Sequence, residues 1–192
     1  MGLSRTFLPT LDVPILSHRQ LWVACEFFLN FYLIRRLINK ETIGILSTYT
    51  RDFTATTFIV KNSCTLLLWH KKIEAWLPPG GHIEKNELPE EAALREVKEE
   101  TGLDVELLGA QHQLNNVKVL HTPVCILLED ISEGHQHIDL IYFARIKDGM
   151  PRINPREASK MRWYSSSDLE DRSIADDIRR LGQQAIAACF PT

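Results

Sequence analysis

The chain has 192 residues, of which 44% are hydrophobic, 24% are charged and 8% are aromatic. This is the composition of an ordinary globular protein, and it excludes a collagen, a coiled coil and a wholly disordered chain. Lys and Arg total 22 against 25 Asp and Glu, which gives a net charge of -3. Because no general positive field attracts a polyanion, we expect no nucleic acid among the partners of this protein.

The cysteines lie too far apart in the sequence to form a zinc ribbon or a redox motif. They are Cys25, Cys64, Cys125 and Cys189. A cleavable signal peptide is not expected, because Pro9, Asp12 and Pro14 interrupt the segment that would have to be apolar. These features predict a reduced, cytoplasmic protein.

The first predicted element is an apolar helix over residues 21–34, with the sequence LWVACEFFLNFYLI. It is shorter than the roughly 20 residues that a helix needs to cross a bilayer, so we expect no transmembrane segment. Three interpretations stay open: the helix packs on the rest of the chain or on a second copy in a homodimer, it attaches to a membrane surface, or it has no function. Residues 1–50 are predicted to form an N-terminal helical extension, and residues 51–192 the main domain.

After residue 50 the sequence is dominated by strand-like segments. Residues 53–60 and 64–70 are typical of two strands joined as a hairpin. Further strands are predicted at residues 105–108, 117–120, 124–128 and 137–146. A last helix is predicted to begin at a capping box formed by Ser167 and Glu170. This order of elements favours the α/β class with a mixed sheet over a doubly wound parallel sheet.

A central helix is predicted between Pro89, which suits a first helical position, and Gly102, which suits a helix end. At about 100° per residue, Glu96, Glu99 and Glu100 share one side of this helix. Clustered carboxylates repel one another, especially in a cleft where water is scarce, unless a cation binds them. Oxygen ligands without cysteines favour Mg²⁺ or Mn²⁺, which keeps some of its waters for a phosphate to replace. The sequence therefore predicts a small phosphorylated substrate.

Residues around the acidic cluster are expected to organise it. Arg95 precedes Glu99 by one helical turn and can also reach back to Glu87. The segment Pro78–Gly81 combines two prolines with two glycines, which lets backbone groups approach a metal or an anion closely. The helix is predicted to pack on a sheet through the side that carries Leu94, Val97 and Thr101.

The segment Gly81–Leu103 matches the Nudix box at every defined position. Gly81 is followed by Glu87 after five residues, and after seven more by the run REVKEETGL that starts at Arg95. The chain thus resembles the Nudix hydrolases over this segment, and its strand pattern is similar to what that fold needs. The resemblance implies an αβα sandwich with a mixed sheet, and an enzyme that hydrolyses a nucleoside diphosphate linked to a further group.

The same resemblance implies the roles of the site residues. The metal would be held by Gly80, through its carbonyl, and by Glu96, Glu99 and Glu100. Glu87 and Arg95 would hold the carboxylates in place. A glutamate would take the proton of the attacking water, and this general base is either Glu96 in the box or Glu157 in a later loop. Of these two we favour Glu96.

The substrate itself is not specified by the motif. A complete box in a domain without a large insertion favours a small nucleotide, either a nucleoside triphosphate, oxidised or not, or a nucleotide sugar. The alternative is a catalytically silent Nudix module that senses nucleotides. The box retains every carboxylate that the chemistry needs, so the enzyme is the preferred interpretation.

His135, His137 and Asp139 alternate along a predicted strand, so their side chains are expected to point to one face. Such a row could form a second metal site or contact the substrate. Alternating polar residues are also common on a strand with one exposed face. These interpretations stay open.

Overall fold

Ten strands, two α-helices and a short 3₁₀ helix make up the part of the chain that the computed structural model describes, residues 49–109 and 112–189. The strands are β1 (Thr50–Lys61), β2 (Cys64–His70), β3 (Ala75–Leu77), β4 (Gly80–His82), β5 (Asp104–Leu107), β6 (His112–Leu114), β7 (Val117–Val119), β8 (Cys125–Ser132), β9 (His135–Asp148) and β10 (Ala158–Ser165). The helices are α1 (Pro89–Thr101), the 3₁₀ helix Asp168–Glu170 and α2 (Asp176–Cys189).

A mixed sheet lies at the centre of the fold, with β10, β2, β1, β9 and β5 side by side in that order. Strands β3, β4 and β8 pair with β2, β1 and β9, while β6 and β7 form a separate ribbon. The long strands β1 and β9 run parallel, whereas β2, β4, β5 and β8 pair antiparallel with them. The predicted hairpin of β1 and β2 is confirmed next to its turn, where Val60 pairs with Thr65.

Each face of the sheet is covered by one helix. Side chains of β1 alternate between the two faces, as the period of a strand requires. Phe58 and Val60 belong to the core on the α2 side, whereas Ala55 and Ile59 pack with Val97 of α1 on the other side. This arrangement confirms the predicted α/β class and the αβα sandwich.

Both ends of α1 lie where the sequence predicted them, at Pro89 and Gly102. Pro89 is its first residue, and the backbone N–H of Leu88 donates a hydrogen bond of 3.0 Å to the carboxylate of Glu91. Gly102 ends the helix in the left-handed region at a φ of 70°, and its N–H donates to the carbonyl of Lys98 at 2.9 Å. A residue with a side chain would be strained at this position.

The side of α1 that packs on the sheet differs in part from the prediction. Val97 and Thr101 are buried as expected, but Leu94 is 39% exposed. Ala92 and Ala93 are fully buried in its place. Small side chains let the helix lie close to the sheet, and this rotates Leu94 towards solvent. The expected contact of Leu94 is therefore wrong.

The predicted start of the last helix is also wrong. Ser167 makes no side-chain cap, and the segment that follows is a 3₁₀ helix rather than the first turn of α2. The carboxylate of Asp168 instead accepts hydrogen bonds from the backbone N–H and the hydroxyl of Ser165. Such local bonding competes with a regular helix. As a result, the α-helix begins at Asp176 rather than at Ser167.

The predicted apolar helix at residues 21–34 and the helical extension over residues 1–50 lie outside the described residues, except for Tyr49 and Thr50. Among the helices that the structure does describe, none has the length and apolar character needed to cross a bilayer.

Candidate active site

A cleft of about 260 Å³ lies where β4, the C-terminal end of α1 and the loop before β10 meet. Three residues of the predicted site, Gly80, Glu100 and Glu157, line this cleft. Glu129 and Asp139 line it from β8 and β9. The cleft is therefore strongly acidic, and it contains more carboxylates than the motif alone indicates.

The three carboxylates of α1 lie at different depths. Glu100 is buried, with 7% of its surface exposed, Glu96 is half-buried and Glu99 is exposed. Burial raises the pKa of Glu96, and the negative charges of Glu99 and Glu157 add to this rise against the opposing hydrogen bond from Arg95. The structure thus brings the three box glutamates and the distant Glu157 into one electrostatic cluster.

Arg95 holds this cluster through a fork of hydrogen bonds. Its Nε and Nη2 donate to the two carboxylate oxygens of Glu87 at 2.7 and 2.9 Å, and Nη2 also donates to the carbonyl of His82 at 3.0 Å. Its Nη1 donates to Glu96 at 2.6 Å and lies 3.5 Å from Glu99. A planar guanidinium suits such paired contacts, which a lysine could not reproduce. The predicted role of Arg95 as an organiser agrees with these contacts.

Glu100 and Glu157 form a pair of carboxyl groups in the cleft. The pKa of Glu100 is raised to about 9, chiefly by burial and then by a hydrogen bond with Glu157 and the negative charges of Glu157 and Glu96. A hydrogen bond from the backbone of Gly80 acts in the opposite direction. Without a cation, the raised pKa of Glu100 therefore favours its protonated form, which can donate a hydrogen bond to Glu157.

The second half of the segment Pro78–Gly81 is the start of a strand. Gly80 and Gly81 begin β4 and pair with Thr56 and Ala55 of β1. A Cβ atom on Gly80 would lie 2.8 Å from the carbonyl oxygen of Ala55, and one on Gly81 would lie 2.5 Å from a carboxylate oxygen of Glu96. The glycines therefore allow close contact with the sheet on one side and with the acidic cluster on the other.

We expect Gly81→Ala to lower activity on the order of 10-fold to 100-fold with little loss of stability. The new methyl group would displace the carboxylate of Glu96, which Arg95 holds in place, and a shift of this kind typically reduces metal affinity by such a factor. Metal titrations of activity and thermal melts measure the two effects. Wild-type metal affinity in Gly81→Ala would show that the position of Glu96 does not matter.

Glu129 is a cleft residue that the sequence analysis did not identify. It lies on β8 opposite His137 of β9, and burial, followed by the charges of Asp139 and Asp177, raises its pKa. Asp139 is 4% exposed and accepts a hydrogen bond of 2.9 Å from the hydroxyl of Thr54. A single glutamate at the end of an apolar run carries no spacing signal, so only the pairing of β8 with β9 reveals it.

The NUDIX domain family matches residues 51–184 of the chain. A crystal structure of a NUDIX-family hydrolase from Clostridium perfringens is 36% identical, superimposes with a TM-score of 0.64, and covers 73% of this chain and 99% of its own. The region that matches the family contains β1 except for Thr50, the box helix α1 and most of α2.

Two curated relatives match over shorter segments. An RNA pyrophosphohydrolase of Marinomonas sp. (strain MWYL1) is 46% identical over 56 residues, which are 27% of this chain and 35% of that protein. A Bacillus subtilis (strain 168) protein with the provisional name 8-oxo-dGTP diphosphatase is 29% identical over 104 residues, 54% of this chain and 59% of that protein. The chain thus spans about a third of the first relative's length and less than two thirds of the second.

Proposed function

The chain belongs to the Nudix family, and we propose on this premise that it is a hydrolase that cleaves the pyrophosphate bond of a small nucleotide with the help of a divalent cation. The observation that carries the proposal is the pair of Glu100 and Glu157 in the cleft beside Gly80. A buried, crowded pair of carboxyl groups is unfavourable in an empty cleft and favourable around a cation.

The donor set fits a hard cation. Glu96, Glu99 and Glu100 offer carboxylate oxygens, Gly80 offers a backbone carbonyl, and no cysteine is among the residues assigned to the site, so Mg²⁺ or Mn²⁺ is the proposed cofactor. When bound, such a cation neutralises charge on phosphate oxygens and lowers the pKa of the attacking water. The hydrogen bonds of Arg95 to Glu87 and Glu96 keep the carboxylates oriented before the substrate arrives.

We place the general base at Glu157 rather than at Glu96, which the sequence favoured. Glu157 lines the cleft, whereas an oxygen of Glu96 is occupied by the hydrogen bond of 2.6 Å from Arg95. The amide of Asn154 donates to Glu157 at 3.1 Å and orients it without adding positive charge. A proton acceptor must reach the cleft, and of these two residues Glu157 is the one that lines it.

The proposed substrate is a nucleoside triphosphate, oxidised or not, or a nucleotide sugar. The 8-oxo-dGTP name of the longer-matching curated relative supports a free nucleotide. The relatives named as RNA pyrophosphohydrolases match over 56 residues, a short span of the chain, and the net charge of -3 does not favour a long polyanion. A triphosphorylated RNA end shares the same anhydride bond and is therefore the natural competitor in a test.

The experiment is a substrate panel with purified protein and Mg²⁺ or Mn²⁺. The panel contains nucleoside triphosphates, 8-oxo-dGTP, nucleotide sugars and an RNA oligonucleotide with a 5′-triphosphate. We expect metal-dependent release of phosphate or pyrophosphate from a free nucleotide. Tight binding of nucleotides without turnover of any compound would instead support the silent sensing module, and turnover of RNA alone would contradict the proposed substrate class.

We expect the metal-free protein to lose stability as the pH rises between 4.5 and about 9, because the pKa of Glu100 is raised from 4.5 to about 9 by folding. In this window the folded chain binds a proton that the unfolded chain has released, so this stabilisation is complete below 4.5 and is lost as the pH rises through about 9. Mg²⁺ replaces the proton, so it should stabilise most at the alkaline end. Thermal melts of wild type and Glu100→Gln across this pH range measure the effect. If the melting temperatures of both proteins fall equally with pH, Glu100 is not the group responsible.

Three further proposals concern the domain organisation, the oligomeric state and the location of the chain. We propose that residues 1–50 are an extension to a domain of residues 51–192, that the chain forms a homodimer, and that it acts in the cytoplasm. Light scattering of the full chain and of a chain that starts at residue 49 tests whether the extension determines the oligomeric state. The same number of chains per particle in both would exclude the extension as the dimer contact.

A further inference from the structure

Three neighbouring strands bring a group of histidines to one face of the sheet, at the margin of the cleft. His135 and His137 alternate on β9, and Asp52 of β1 pairs directly with His137. Because residues that pair in neighbouring strands point to the same face, Asp52 lies on the side of the two histidines. His82 of β4 reaches the same place, since its ring meets that of His137 edge to face at 4.9 Å.

The distances within this group suit a shared ion better than hydrogen bonds. One ligand atom each of Asp52, His135 and His137 lies within 4.8 Å of the other two. The Nε2 of His135 is 3.6 Å from an oxygen of Asp52, which is too long for a hydrogen bond. Ligand atoms around a tetrahedral zinc ion, with bonds of ~2.0 Å, lie ~3.3 Å apart. Small side-chain adjustments would therefore place these atoms around one ion.

A hydrogen bond at Nδ1 of His135 orients its imidazole ring for metal binding through Nε2. The hydroxyl of Thr50 lies 2.8 Å from Nδ1 of His135 and 3.4 Å from the carbonyl of Gly134. In the tautomer that carries the proton on Nδ1, this N–H donates to the hydroxyl of Thr50, and the lone pair of Nε2, 3.6 Å from Asp52, is free for an ion. Metal-binding histidines commonly receive this kind of support from a neighbouring polar group.

We propose that Asp52, His135 and His137 form a second metal site, which binds a transition-metal ion of the zinc type. Two imidazole nitrogens and a single carboxylate select such an ion, whereas the all-oxygen set around Glu100 selects magnesium or manganese. An anion is the less suitable occupant, because Asp52 would repel it. His137 also lines the cleft, so an ion bound at this site adds positive charge next to the carboxylates of the cleft.

This site does not depend on the proposed hydrolase function, because its ligands differ from those of the catalytic cluster. It can therefore be tested by metal binding alone. Co²⁺ is a suitable probe, because it absorbs visible light strongly when it is held by imidazole ligands in a coordination number below six. An excess of Mg²⁺ occupies the glutamate cluster during the titration.

The experiment is a Co²⁺ titration of the full chain in excess Mg²⁺, followed by displacement with Zn²⁺. We expect one bound Co²⁺ per chain with strong visible absorption, and a loss of affinity of at least about 10-fold in His137→Gln and Asp52→Asn. Thr50→Val, which removes the hydrogen bond at the back of His135, should weaken binding by about 10-fold. His70→Gln, which removes another imidazole of the same cleft, should bind as wild type.

Thermal melts show whether each variant is folded. Thr50 is exposed at the end of a strand, so Thr50→Val still tests the site if a variant of a ligand residue does not fold. Absence of the strong absorption in the wild type would overturn the site. So would equal affinity in wild type, His137→Gln and Thr50→Val. Binding that is lost in Glu100→Gln but kept in His137→Gln would assign the ion to the catalytic cluster and also overturn the proposal.

Discussion

Glu100→Gln is expected to lower kcat on the order of 10³-fold while the protein stays folded. Glu100 is a buried carboxylate of the cleft, and loss of one group that stabilises the reacting phosphate typically costs about 10²-fold to 10³-fold. The fold tolerates the change because the raised pKa of Glu100 favours its protonated form in the metal-free state, and a glutamine amide can donate the same hydrogen bond to Glu157. Steady-state kinetics at saturating metal and a thermal melt measure the two effects.

A matched control for this prediction is Glu106→Gln, the same substitution at an exposed position of β5. We expect it to keep wild-type activity, stability and metal affinity. Activity that survives in Glu100→Gln would remove this residue from the catalytic cluster. A large loss of stability would show that Glu100 is mainly a structural residue, in which case the loss of activity would say nothing about the metal.

Glu157→Gln and Glu96→Gln are both expected to lose activity, but for different reasons. If Glu157 takes the proton, its replacement should lower kcat by about 10²-fold to 10⁴-fold at all metal concentrations, with little change in KM, because a general base contributes about that much. Glu96→Gln should chiefly weaken the metal site, because its carboxylate holds the cluster together with Arg95. High Mn²⁺ should therefore restore much of the activity of Glu96→Gln and none of that of Glu157→Gln.

The pH dependence of kcat provides the readout that separates a base from a positioning residue. Glu157→Gln should lose the acidic limb of the profile, whereas Glu96→Gln should keep it. The reverse pattern, with Glu157→Gln active and Glu96→Gln inactive at saturating Mn²⁺, would identify Glu96 as the general base.

The sequence was sufficient to predict the parts of the site that are local in the chain. The box helix is marked at both ends by Pro89 and Gly102, and helical geometry alone places Glu96, Glu99 and Glu100 on one side. Short-range spacing also predicted the contacts of Arg95 with Glu87 and Glu99, whereas the hydrogen bond of Arg95 to its neighbour Glu96 was not predicted. These features depend on contacts within about one or two helical turns, where periodicity is informative.

The parts that sequence reasoning missed depend on pairing between distant segments. Gly80 and Gly81 have low strand propensity, and only their hydrogen bonds to β1 make them a strand. Glu129 enters the cleft because β8 pairs with β9 in one particular register. Asp52 joins His135 and His137 because β1 and β9 run parallel. Strand registers of this kind are set by tertiary packing, which a single sequence does not display.

The start of α2 illustrates a different limit. A capping-box pattern at Ser167 was present in the sequence, but the local hydrogen bonds of Asp168 to Ser165 were the stronger interaction. Polar residues that can bond either to a helix end or to a nearby turn carry an ambiguous signal. Packing of Leu169 in the core, where it is fully buried, holds the turn in place.

Anomalous diffraction from crystals soaked in Mn²⁺ tests the central claim most directly. We predict manganese in the cleft with the carboxylate oxygens of Glu96 and Glu100 as ligands, at the ~2.1–2.2 Å typical of such bonds, close to those of magnesium. Manganese found away from α1, with Glu100 and Glu157 still bonded to each other, would contradict the account of this chain as a metal-dependent Nudix hydrolase.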